Sequence, residues 1–120
     1  MNSQQSSLEW LVWLWRAAFA VLLIAVAYLA LSPSPPHAID TGWDKLNHAL
    51  AFCALAISCC FSGPRSARWL ALTAVGMLAF GGAIEIVQLQ VPGRNSEWAD
   101  LLADGVGISA ALLAVRLVRR

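Results

Sequence analysis

Charge is what this chain of 120 residues has least of: only 12% of it is Asp, Glu, Lys or Arg. A soluble domain carries roughly 25%, because a small body has a large surface that must meet water. The shortfall excludes an ordinary soluble domain, and 59% hydrophobic residues with a mean hydropathy of +0.66 exclude it again. A net charge of +1 leaves neither a basic patch nor an acidic tail, so nucleic acid is not expected as a partner. Cysteine is scarce too. Cys53, Cys59 and Cys60 share one apolar segment, and neighbours in sequence bridge poorly, so free thiols are expected rather than a disulfide framework. The chain also lacks His-x-x-x-His, Glu-x-x-His and Cys-x-x-Cys spacings, a nucleophile elbow, a phosphate-cradling glycine loop and a dinucleotide fingerprint. Carboxylates with one histidine could hold a divalent cation, yet without such spacing no metal and no cofactor is assigned.

What remains is four apolar segments separated by turn-forming or charged residues. In lipid each must be helical, because a spanning segment has to satisfy its own backbone hydrogen bonds. The first is expected over Leu8–Leu31, with Trp10, Trp13 and Trp15 at an interface and Arg16 snorkelling to headgroups. It ends at Pro33, Pro35 and Pro36. The Ser-Pro-Ser-Pro-Pro that follows is no small-x-small cleavage site, so this helix reads as retained rather than as a signal peptide. The second is expected from Thr41, with Asp44 completing a capping box, to Phe61 before Gly63 and Pro64. The third runs from Trp69 to Val91 before Pro92 and Gly93. The fourth is expected to be capped by Asn95 or Ser96 and to end near Arg116. The expected fold is a single all-α domain, 1–120: an integral membrane bundle of four transmembrane helices.

Lys and Arg fix its orientation. Arg16, Arg65, Arg68, Arg116, Arg119 and Arg120 fall on one side, and Lys45 and Arg94 on the other. Six against two places both termini in the cytoplasm of a multi-pass cell-membrane protein. The acids are biased the opposite way. Asp40, Asp44, Glu85, Glu97, Asp100 and Asp104 lie in or near the outer half and only Glu9 lies inside, an asymmetry that topology does not require.

Glu85 is the clearest of these acids, about two turns from the outer end of its helix. A charge near the middle of a span costs about 2.5–3.5 kcal/mol, so it should face protein, water or a partner. Helical spacing pairs it with Gln88, pairs Asp44 with His48, and pairs Asp100 with Asp104. Lys45 and Arg94 are the outer cations available to these acids. Together they outline a pocket at the outer ends of helices two, three and four. Ala99, Ala103, Gly107 and Ala111 recur every four residues as a small-residue packing stripe, and Gly81 and Gly82 open a close approach near Glu85. Trp43, Trp69 and Trp98 read as interfacial anchors, and the inner arginines as headgroup contacts.

These residues carry a resemblance. Asp44-Lys45-Leu46-Asn47-His48, Glu85-Ile86-Val87-Gln88, Pro92-Gly93-Arg94 and Asp100-Leu101-Leu102-Ala103-Asp104-Gly105-Val106-Gly107 are, in order and spacing, similar to the VanZ-like membrane family. The likeness covers about 44–107, and departs at Asp104, where members often carry Asn before the glycine. It implies a polytopic bacterial envelope protein. The founding member is linked to low-level resistance to the glycopeptide teicoplanin, so the name describes a phenotype rather than a reaction.

The residues themselves leave three classes of function open. In one, the pocket binds an amphiphile or a partner and so changes the envelope and glycopeptide susceptibility. In another, a membrane-embedded enzyme acts on a lipid or lipid-linked substrate, with Glu85 or His48 as acid/base and Arg94 holding an anionic headgroup. In the third, buried acids with a histidine form an ion relay in a small transport or assembly subunit, and the small-residue stripe becomes an oligomer seam. The binding candidates are Asp44, Lys45, His48, Glu85, Gln88, Arg94, Asp100 and Asp104. Asp44 doubles as a helix cap, Asp100 favours the helix dipole, and Glu85 has a structural alternative as an ion-pair partner of Arg94 or Lys45.

Overall fold

A computed structural model describes residues 2–33, 44–94 and 96–120. Four helices account for nearly all of them: α1 (Ser3–Leu31), α2 (Asp44–Phe61), α3 (Ala67–Gln88) and α4 (Trp98–Val118). The expected start at Thr41, the anchor Trp43, the acid Asp40 and the cap Asn95 lie outside the described residues.

Boundaries follow capping chemistry. α1 begins five residues before Leu8, because Asn2 and Gln5 form a reciprocal capping box that recruits the polar turn Ser3–Ser7 into the helix. It stops at Ser32, whose extended backbone is what a residue before proline adopts. α3 begins at Ala67 because the Ser66 hydroxyl accepts from the Trp69 amide at 3.1 Å. It ends at Gln88, earlier than Val91, where the ladder tightens into short-range bonds from Leu89, Gln90 and Val91 to the carbonyls three residues back. Gly93 then takes φ +79°, a left-handed turn that favours glycine. α4 starts at Trp98 with Glu97 as its cap residue, so Ser96 is not the cap; its hydroxyl is engaged by Glu85 instead.

The four helices run alternately up and down in a rod of 53 × 23 × 22 Å. Trp15 stacks on Phe61 at 5.0 Å and Arg16 donates to the Ser62 carbonyl at 3.1 Å, setting the middle of α1 beside the end of α2. Gln88 donates to the Ala30 carbonyl at 2.7 Å, setting the ends of α1 and α3 together. α2 touches all three others, whereas α1 and α4 do not meet. The core between them is Phe52, Leu55 and Ala56 of α2, Met77 and Ile84 of α3, and Ile108 and Ala111 of α4.

α2 and α4 run parallel and very close. A Cβ on Gly107 would stand 2.1 Å from the Ala49 carbonyl oxygen, so only glycine permits this crossing. The small-residue stripe is thus internal over Gly107 and Ala111, both buried, while Ala103 is half-buried and Ala99 exposed. Of the paired glycines, Gly81 packs against the Asp104 carboxylate and Phe52, and Gly82 faces open space. All three cysteines are free thiols.

Polarity is inverted relative to a soluble bundle. Ile24, Val75 and Leu102 are exposed, while Thr73, Glu85, Gln88, Asp100 and Asp104 are buried. α1, α3 and α4 are each long and apolar enough to cross a membrane. α2 falls short of that standard because its first turns carry Asp44, Lys45, Asn47 and His48. In a detergent-solubilised chain followed by thermal unfolding, Gly107→Ala should cost about 1–3 kcal/mol, since the obstacle is backbone rather than a mobile side chain. Gly82→Ala, with nothing within 4 Å of the new methyl, should instead gain about 0.5–1 kcal/mol from helix propensity.

Candidate functional site

The parallel register of α2 and α4 brings two polar pairs face to face. Asp44 and His48 are one turn apart on α2, and Asp100 and Asp104 are one turn apart on α4. His48 Nδ1 lies 2.8 Å from Asp104 Oδ1, so the histidine's partner is on α4 and is neither Asp44 nor Glu85. An ionised carboxylate only accepts, so Nδ1 donates to it and Nε2 is the ring nitrogen left to face the neighbouring acids. That nitrogen faces Asp100 Oδ2 at 3.6 Å, beyond hydrogen-bond range. The other oxygen of Asp100 accepts from Lys45, and the same ammonium reaches Glu97 at 2.7 Å and Asp44 at 3.8 Å. Depth grades along the cluster: the Asp44 and Glu97 side chains are 66% and 57% exposed, and those of Asp100 and Asp104 only 3% and 1%. The cluster opens at the end of the bundle and closes inward.

Glu85 approaches from α3 and does a different job. Its Oε2 accepts from the Ser96 hydroxyl at 3.0 Å and from the Glu97 amide at 3.1 Å, and the Ser96 hydroxyl also bonds the Glu85 carbonyl at 2.8 Å. Glu97 is the cap residue of α4 and makes no side-chain cap of its own, so Glu85 fixes the entry to that helix. Among the described residues its second oxygen, Oε1, is buried without a partner, as are Asp104 Oδ2 and Gln88 Oε1. Glu85 is 1% exposed, and the bonds to Ser96 and Glu97 compensate for burying its carboxylate there.

Of the eight expected site residues, Asp44, Lys45, His48, Asp100 and Asp104 converge. Glu85 borders them through Ser96 and Glu97. Gln88 turns away to the last turn of α1, where it satisfies the Ala30 carbonyl that the helix end leaves open. The Arg94 side chain makes no hydrogen bond or ion pair to the cluster among the described residues. Glu97, which the sequence reading left as one acid among several, is the residue that ties Lys45 to the start of α4; its position one residue before the helix was the available sign.

At the opposite end the arginines do more than sit in headgroups. Arg119 donates to the Cys60 carbonyl at 3.0 Å and stacks over Phe61, and Arg65 donates to the Arg119 carbonyl at 3.2 Å. With Arg116 and Arg120 they line a groove of about 650 Å³. Trp69 is a tie between helices as well as an anchor, since its indole N–H bonds the Cys59 carbonyl at 3.0 Å beside Gly63. Trp98 is exposed, as an anchor would be.

No protein-family model, curated protein or solved structure matches this chain.

The two roles open to Glu85 separate by substitution. Glu85→Gln keeps an acceptor for Ser96 and Glu97 and puts an amide where Oε1 is unpaired, so thermal stability in detergent should stay within about 1 kcal/mol of the native chain. Glu85→Leu orphans the Glu97 amide and the Ser96 hydroxyl and should cost about 1–3 kcal/mol.

Proposed function

We propose that this chain is a VanZ-like, four-pass cell-membrane protein with both termini in the cytoplasm, whose outward polar end binds the headgroup of an amphiphilic envelope molecule. The observation that carries the reading is the polar wedge between α2 and α4. It is open at Asp44 and Glu97, closed at Asp104, and set in a bundle whose flanks are Leu, Val and Ile. An amphiphile diffusing in the bilayer would meet apolar flanks with its tails and the wedge with its headgroup. Carboxylates accept hydrogen bonds, so hydroxyl- or amine-bearing headgroups suit the wedge. Through such binding the protein would modulate the envelope and, as in the family it resembles, glycopeptide susceptibility.

α2 is the fourth span in this reading. Its 18 residues rise about 27 Å, close to the thickness of a hydrocarbon core. Lying between the other helices, it need not be apolar all round. The arginine groove at one end and the acids at the other agree with a cytoplasmic side bearing Arg65, Arg116 and Arg119.

One observation favours a second reading, acid/base catalysis on the bound amphiphile: the 2.8 Å bond to Asp104 holds His48 in the orientation a general base requires. A transport relay draws less support, because Phe52, Leu55, Ala56, Ile108 and Ala111 form an apolar plug inward of Asp104.

Lipids co-purifying with the native chain in mild detergent, measured by mass spectrometry beside His48→Gln and Asp100→Asn at equal abundance, test the binding reading. One headgroup class should be enriched with the native chain and return to its bulk proportion with either variant; identical profiles would sink it. In whole cells, a species that accumulates without the protein and with His48→Gln, but not with the native chain, would mark catalysis. Topology is read by fusions after Arg120: a cytoplasm-dependent fluorescent protein should be bright and an export-dependent phosphatase inactive.

A further inference from the structure

We propose that Asp44, His48 and Asp100 form a binding site for a divalent transition-metal cation of the zinc type, with Asp104 and Lys45 as its supporting shell. The proposal goes beyond headgroup binding and does not depend on it.

The ligand atoms already converge. One donor atom from each of Asp44, His48 and Asp100 lies within 4.8 Å of the other two. Two ligands about 2.1 Å from a tetrahedral ion stand about 3.4 Å apart. The 3.6 Å between His48 Nε2 and Asp100 Oδ2 fits that geometry and is too long for a hydrogen bond. With the Nδ1 proton committed to Asp104, a neutral His48 turns the Nε2 lone pair toward carboxylate oxygens that bring only lone pairs. A proton on Nε2 or a metal ion at the centre relieves that arrangement, and the metal takes up the Asp44 oxygen as well.

The surroundings point the same way. A metal-bound histidine characteristically donates its other ring N–H to a carboxylate, and His48 does so to Asp104. Ligating carboxylates are themselves held by hydrogen bonds, and Asp100 is held by Lys45 through the oxygen turned away from His48. Asp104, 1% exposed, keeps a second oxygen that has no partner among the described residues, where the histidine is its only compensation. Among the described residues, the carboxylates of Asp44, Glu85, Glu97, Asp100 and Asp104 stand around this point against the ammonium of Lys45. A divalent ion offsets that surplus where one lysine does not.

One imidazole with two carboxylates selects a cation of intermediate hardness over Mg²⁺ or Ca²⁺, which prefer all-oxygen sets. Three protein ligands leave a coordination position open, on the side where Asp44 is exposed. A metal there would give the acidic wedge an electropositive centre, and hence a means of holding an anionic headgroup group such as a phosphate.

The test uses the full chain in detergent, stripped with a chelator and titrated with Zn²⁺ by calorimetry, and with Co²⁺ for its visible ligand-field absorption. One Zn²⁺ per chain is expected, with tetrahedral-type Co²⁺ bands that added Zn²⁺ bleaches. Asp104→Asn should weaken affinity about 10–100-fold, as loss of a supporting carboxylate does. His48→Ala should abolish both the bands and the binding, while Glu9→Gln, remote from the cluster, should change neither. Circular dichroism and gel filtration establish that each variant is folded, and His48→Gln serves where His48→Ala is not. Failure of the folded native chain to bind, equal binding by the His48 variant, or Mg²⁺ binding as tightly as Zn²⁺ would overturn the site.

Discussion

Everything polar in this molecule depends on how closely α2 and α4 approach each other. The contact of Gly107 with the Ala49 carbonyl has no room for a methyl group, and it fixes the parallel register in which His48 meets Asp104 and Lys45 meets Asp100. In a bilayer, lipid would supply no hydrophobic drive to press two helices together, which leaves the work to close packing and interhelical polar bonds. Here they occur within two turns of each other. The bonds hold the helices together near the end that carries Asp44 and Glu97, and the Phe52, Leu55, Ile108 and Ala111 packing continues the seam inward.

α3 plays the complementary part from the side. Gly81 lets its backbone come against the Asp104 carboxylate, while Glu85, one turn on, reaches around to the residues preceding α4. A buried carboxylate is expensive in a medium of low dielectric unless donors surround it. Glu85 has two donors on one oxygen, and they come from the segment whose position decides where Asp100 and Asp104 lie. Gln88 makes the same kind of tie to α1, and so the helix that never touches α4 is still registered to it through α3.

Helix number, type and approximate extent were legible because each rests on local chemistry: apolar runs, Pro33, Gly63-Pro64 and Pro92-Gly93. The errors at helix ends came from side chains used otherwise than their position implied. Asn2 and Gln5 extended α1 by a capping box in a polar stretch that hydropathy had discarded, and Ser96 spent its hydroxyl on Glu85 rather than on α4. The site was legible as a set of residues but not as pairs. Spacing of three or four places Asp44 with His48 and Asp100 with Asp104, each within one helix. Which pair faces which is decided by Gly107, whose close approach a sequence marks only as one small residue among Ala99, Ala103 and Ala111. The same limit hid the His48 and Asp100 donor set: metal-ligand spacing rules read one helix at a time, and these donors come from two.

The opposed charge at the two ends now has separate causes. The arginines at one end tie helix ends together, as Arg119 does to Cys60. The acids at the other end do not set topology, and neither a cap for α2 nor the α4 dipole accounts for Asp104, two turns into its helix and 1% exposed. A carboxylate that deep survives only where something positive or proton-bearing is fixed beside it, and His48 is fixed there. If helix stability were the sole demand, apolar residues at both positions would pack the seam at lower cost. The pair is retained at the bottom of a wedge that opens to solvent at Asp44, which is the place where a polar pair can act on something that enters from outside.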